Sequence, residues 1–149
     1  MTVGEFCNRE VVVAEKETTI VEAAKLMRKY HVGDLVVVDR SGGRTIPVGI
    51  VTDRDIVVEL VAGEVDLDAA CAGDIMSHEL MTAGDHDGIL ETLQKMRGKG
   101  IRRLPVVNGQ GGLEGILAID DLLELLAEEL TLLAKAAGRG QERERKLRP

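Results

Sequence analysis

Aromatic side chains are nearly missing from this 149-residue chain, which holds one phenylalanine (Phe6), one tyrosine (Tyr30) and no tryptophan. Its core therefore has to be filled by Val, Ile, Leu, Ala and Met. Its surface offers almost no stacking platforms for single-stranded nucleic acid. Cysteine is equally scarce: Cys7 and Cys71 form no CxxC pair and no ligand cluster, which suits a reduced, cytoplasmic setting. No apolar run approaches the roughly 18 residues of a membrane span. The opening MTVGEFCNRE lacks the basic-then-apolar layout of a signal peptide, so neither a membrane nor export is expected. Catalytic patterns are also missing. No Ser/His/Asp or Cys/His arrangement is readable, and GQGG at 109–112 is a hairpin turn, since no GK[ST] follows it. Cys71, His78, His86 and Asp87 fit no standard zinc spacing, so no metal is expected. His31, His78 and His86 read as surface or loop residues. The two cysteines read as small apolar ones, with a regulatory thiol as the alternative.

What remains is ordinary for a globular protein: 44% apolar and 30% charged residues. The net charge of −7 is uneven, because residues 138–149, GRGQERERKLRP, carry five basic and two acidic side chains and leave the body at −10. Such a body repels phosphate backbones, so no nucleic-acid partner is expected. The tail reads as a solvated, disordered extension.

Internal repetition organises the rest. GEFCNREVVVAEKETTIVEAAKLMRK from Gly4 aligns with GDIMSHELMTAGDHDGILETLQKMRG from Gly73 at an offset of 69, and the offset holds through HVGDLVVVD and GIRRLPVVN. It falls to 66 where GIVTDRD (49–55) meets GILAIDD (115–121), the difference being absorbed by the Gly-rich RSGGRTIP loop. The chain thus reads as two halves, 1–68 and 69–137, followed by the tail. Each half has a short apolar piece (11–13; 80–82) and then an amphipathic helix. In the first half Ile20, Ala23, Ala24 and Met27 share that helix's face, and Thr19 and Glu22 make a capping box. Two strands (DLVVVD and PVGIVT; RLPVVN and LEGILA) and a second helix complete the β-α-β-β-α order. One such half buries too little surface to be secure alone, so an α/β (α+β) fold is expected in which the two repeats pack as a pseudo-twofold pair.

The duplication, the element order, the RRLPVV strand with Pro105 and above all the Gly-h-h-Thr-x-x-Asp phrase from Gly49 to Asp55 carry a resemblance. Over residues 3–127 the chain resembles a pair of CBS (cystathionine beta-synthase) domains, the Bateman module, in the layout of small stand-alone bacterial two-CBS proteins. The resemblance implies a regulatory module with an adenosine ligand between the halves: AMP or ATP as first candidates, then ADP or an S-adenosyl compound, and no other cofactor. It further implies that Thr52 and Asp55 contact ribose hydroxyls, with Asp121 as the equivalent of Asp55. Backbone around Val12 and Met81 would read the adenine edge. Basic residues near the Pro105 strand, here Arg102 and Arg103, would reach phosphate.

The residue chemistry suits these roles. A carboxylate accepts two hydrogen bonds at once from a cis-diol, Gly49 permits close backbone approach, and arginines grip phosphate by bidentate forks. Thr-x-x-Asp is also a helix N-cap with an acid in the first turn, and Asp120 and Asp121 complement a helix dipole equally well. The copies differ: Thr52 corresponds to Ala118, and Gly33-Asp34 to Arg102-Arg103. The better ribose phrase and the phosphate arginines therefore sit on different halves, and one ligand across a pseudo-twofold cleft would use both. The last helix is dense in leucine, with Leu122, Leu123, Leu125, Leu126, Leu130, Leu132 and Leu133, more than covering its own sheet requires. They suggest a homodimer contact, with intramolecular packing as the alternative; the tail, having almost no apolar anchor, is expected to be dispensable for it. Three functions follow in order: a nucleotide-sensing module with an unidentified protein target, an interaction module that has lost its ligand (Ala118 and Asp34 favour this), and an enzyme, for which no catalytic set is visible.

Overall fold

Strand β2 (Asp34–Asp39) explains why its sequence is a continuous apolar run: Leu35, Val36, Val37 and Val38 are all buried, because it is the middle strand of its sheet and is covered on both faces. The computed structural model describes residues 1–148 and divides into two units, Met1–Leu117 and a helical remainder from Ala118.

The first unit contains both sheets. In the first repeat, helix α1 (Val3–Phe6) precedes β1 (Val13–Glu15), α2 (Ile20–Tyr30), β2 and β3 (Ile46–Thr52). A single α turn, α3 (Asp53–Asp55), then runs into a π-helical stretch, Ile56–Val61, and a 3-10 turn, Leu67–Ala69. The second repeat begins with α4 (Ala72–Ile75), β4 (Ala83–Gly84), α5 (Ile89–Lys99), β5 (Arg103–Val107) and β6 (Leu113–Ala118). In the first sheet β1 is parallel to β2 and β2 antiparallel to β3; the second has the matching order β4-β5-β6, with β4 parallel to β5. The first strands start later than the apolar pieces at 11–13 and 80–82, because pairing with β2 and β5 sets the ladder at Val13↔Val36 and Ala83↔Val106.

Helix α2 forms as its sequence requires. Thr19 Oγ1 accepts the Glu22 N–H at 3.2 Å, and Glu22 Oε2 accepts the Thr19 N–H at 3.0 Å. This reciprocal box satisfies two N–H groups that a helix start leaves open, while Ile20, Ala23 and Met27 are buried. The helix ends on His31 in the left-handed region (φ 54°), where the equivalent end of α5 has Gly100 (φ 67°).

The short helices bind the repeats together by exchange. Val3 and Gly4 donate backbone hydrogen bonds to the carbonyls of Asp87 and Asp85 in the second repeat, both at 2.8 Å, and their counterparts Ala72 and Gly73 donate to Thr18 and Lys16 in the first, at 2.8 and 2.9 Å. Asn8 pairs with Ile116, just as Ser77 N–H donates to Ile50 O. Ala72 and Met76 of the second repeat accordingly belong to the core of the first, with Ala23, Met27, Leu35, Val37 and Val51.

The second unit is one helix, α6 (Ile119–Leu147). It includes residues 138–147, for which the sequence suggested a disordered tail. The run Ala134, Lys135, Ala136, Ala137 propagates the helix into that segment. Gly138 and Gly140 each cost only about 1 kcal/mol, Arg148 pairs with Glu144 at 3.8 Å, one turn apart, and Arg145 and Lys146 complement the C-terminal dipole. Among the described residues no helix is long and apolar enough to cross a membrane.

Candidate functional site

Thr52 ends β3 and caps the turn that follows. Its Oγ1 accepts the Asp55 N–H at 3.0 Å, and Asp55 Oδ2 accepts the Thr52 N–H at 2.9 Å. The N-cap role of the phrase is thus realised, and both side chains are fixed at the strand end, half-buried. The box leaves capacity over: a hydroxyl retains its own proton, and a carboxylate has a second oxygen.

These two residues line a cleft of about 420 Å³ within the first unit, inside the size range of small-molecule sites. The second repeat supplies the opposite wall, with Leu80, Met81, Ile101, Arg102 and Arg103, while Ile50 adds apolar surface from the first. Asp53, Arg54 and Glu79 also line it, so the lining holds three carboxylates and three guanidinium groups. Thr52 and Asp55 of one repeat and the arginines of the other therefore line the same cleft.

Arg103 does not stand alone there. Its Nη1 is paired with Asp34 Oδ2, and both side chains are largely buried. Asp34 and Arg103 open β2 and β5 and occupy equivalent positions in the two repeats, so this ion pair straddles the pseudo-twofold axis. The sequence held the signal, opposite charges at an offset of 69, but the two positions read as a difference between pockets rather than as a pair.

Other expected site residues lie elsewhere. Val12 lines a second cleft, of about 600 Å³, with Asn8, Glu10, Val11, Leu26, Tyr30 and Val32. Val12 and Met81 are equivalent, so pseudo-symmetry sends them to different clefts. Gly49 lines neither. It is buried, and a Cβ there would lie 2.6 Å from Met76 Sδ, as one at Gly115 would lie 2.7 Å from Cys7 Sγ. The close approach the glycine permits is to the exchanged segment of the other repeat, not to a ligand. The alignment of Cys7 with Met76 also makes sense: each packs on the other repeat's glycine. Pro105 is buried within β5, at the centre of its sheet rather than on the cleft. Asp121 lies in the first turn of α6, in the second unit. Leu80 and Ile101 were not singled out beforehand; their signal was apolar character next to Met81 and the arginines. Cys7 and Cys71 are free thiols. Among the described residues no three His, Cys, Asp or Glu side chains are grouped to hold a metal.

The CBS domain model matches residues 3–62 and again 72–128. An uncharacterized protein of Methanopyrus kandleri is 36% identical over 125 residues, which cover 84% of this chain and 62% of that protein; the chain thus spans less than two thirds of that relative's length. The solved structure of a CBS domain protein from Pyrobaculum aerophilum complexed with AMP is similar at a TM-score of 0.73 and 34% identity, over 85% of this chain and 99% of that one. A CBS domain pair in complex with 5'-methylthioadenosine and S-adenosyl-L-methionine is similar at a TM-score of 0.72 and 26% identity, over 87% and 98%.

Proposed function

The chain belongs to the CBS domain family, and from that premise we propose that it is a regulatory module binding an adenosine nucleotide in the cleft shared by its two repeats. The observation that carries this reading is the convergence of Thr52 and Asp55 from one repeat with Met81, Arg102 and Arg103 from the other on a single cleft. In it, the free oxygen of Asp55 and the hydroxyl proton of Thr52 take the ribose diol. Leu80, Met81 and Ile101 cover the adenine, and the guanidinium groups take the phosphate. Arg103 has five N–H donors in a rigid fork, so its bond to Asp34 orients it and still leaves donors for a phosphate oxygen. AMP is the first candidate because a similar protein is complexed with AMP. An S-adenosyl ligand, as in the other complex, leaves the arginines without a phosphate. The output is a change in contact with a protein partner or another copy rather than catalysis.

One observation favours a second reading. Thr52 and Asp55 already satisfy each other, and Arg103 is already neutralised by Asp34; a module that works by partner contact alone needs nothing more. Thermal unfolding with AMP, ADP, ATP and S-adenosylmethionine separates the two. A ligand at about 100 times its Kd adds about 2.7 kcal/mol, which for a chain of this size raises Tm by about 5–10 °C. No rise with any of the four turns the assignment to the interaction module.

A further inference from the structure

Helix α6 carries two patterns that nucleotide binding does not use. Leu123, Leu126, Leu130 and Leu133, then Ala137, recur at alternating spacings of three and four, the 3.5-residue period of a coiled-coil seam. The four leucines are 56–66% exposed, and every described residue from Leu126 onward is exposed. A helix standing in water without packing is marginal on its own. The second pattern is charge. Residues 119–134 carry five acidic and no basic side chains, whereas 135–148 carry six basic and two acidic. The helix's own dipole favours this sign order but acts only within the first and last turns; Glu128, Glu129, Lys135 and Arg139 lie well inside.

We infer that α6 pairs antiparallel with α6 of a second copy of this chain. A parallel, in-register pair sets acidic half against acidic half and basic against basic. The antiparallel pair sets each acidic half against a basic one. With Leu130 opposite the second copy's Leu133, Leu126 faces Ala137, a large side chain against a small one. The same register runs residues 120–129 of one helix alongside residues 134–143 of the other, acidic half along basic half, with Asp120, Glu129 and Arg143 at the positions that flank the seam. The basic segment from 138 onward, which offers little apolar anchor, is thereby a working half of the interface. The inference does not rest on the nucleotide cleft.

Sedimentation equilibrium of the full chain tests it. The chain should be a dimer at tens of micromolar, and raising salt from about 0.05 to about 0.5 M should weaken the dimer by about tenfold, as opposite charges are screened. Leu130→Glu should give a monomer that stays folded in its first unit and loses helical circular dichroism only from α6, since Leu130 is exposed and an unpaired helix is marginal. A chain ending at Ala137 should dimerise at least about tenfold more weakly at low salt. A monomeric parent, a dimer that tightens with salt, a dimer that survives Leu130→Glu, or a truncated chain that dimerises like the parent overturns the pairing.

Discussion

Replacing Gly115 by alanine probes the bracing between the repeats most sharply. The added Cβ would lie 2.7 Å from Asn8 O and 2.7 Å from Cys7 Sγ. Asn8 cannot turn away, because its backbone exchanges hydrogen bonds with Ile116 at 2.8 and 2.9 Å. The α1 segment and β6 must therefore separate by several tenths of an ångström, straining both bonds. Overpacking a tight site costs about 1–3 kcal/mol, and the rigid carbonyl puts this substitution near 3 kcal/mol. Gly49→Ala makes the equivalent contact, 2.6 Å from Met76 Sδ and 2.9 Å from its Cγ. A methionine adapts its rotamers, so the cost there is about 1–2 kcal/mol. Urea unfolding of both variants with unchanged m-values measures these numbers. In a double-mutant cycle, Gly49→Ala and Met76→Ala should couple favourably by about 1 kcal/mol, because truncating Met76 removes the clash. If Gly115→Ala stays within about 0.5 kcal/mol of the parent, or the cycle shows no coupling, the exchanged segments do not pack as described.

His31→Gly should stabilise the chain by about 1 kcal/mol by relieving the left-handed backbone at the end of α2, read as a higher urea midpoint. Arg103→Ala should weaken AMP by about tenfold and leave adenosine within about twofold, by calorimetry with each ligand; equal losses for both would remove the phosphate role. Asp74 is held below the usual carboxylate range by the Cys71 N–H and then by the Cys71 thiol. A carboxyl whose folded value is lowered contributes stability that is complete above its ordinary value and lost as pH falls through the folded one. Asp74→Asn should therefore lower Tm slightly at neutral pH, match the parent at low pH, and so flatten the acid side of the pH–Tm curve.

The duplication could be read because equivalent residues must do equivalent work: the offset of 69 that aligned Gly4 with Gly73 also relates the backbone bonds these glycines make across the repeats. Thr19 and Glu22 announced a helix start because a capping box is a local interaction, complete within four residues. The convergence of Thr52 and Asp55 with Arg102 and Arg103 was legible only as a consequence of pseudo-symmetry. What escaped the sequence was long-range or contextual. Gly49 looked like a ligand contact because nothing local announces Met76 above it. Val12 and Met81 both read as adenine contacts, and sequence equivalence did not show that they line two different clefts. Asp34 looked like a lost arginine until Arg103 was seen beside it. The π-helical turn at Ile56–Val61 has no pattern distinct from an α-helix of the same residues. The tail looked disordered because composition weighs its charges and not the alanine-rich helix that feeds into it.

Calorimetric titration of AMP into the parent and into Asp55→Asn, with urea unfolding of the same samples, is the direct test of the proposed ribose contact. Asparagine keeps an oxygen to accept the Thr52 N–H, so stability should fall by no more than about 1 kcal/mol. A hydrogen bond to a charged group contributes about 1.5–3 kcal/mol, so AMP should bind about 10- to 150-fold more weakly. A parent that binds no AMP, or an Asp55→Asn chain that binds it as the parent does, would contradict the account and leave Asp55 as a residue that only starts a helix.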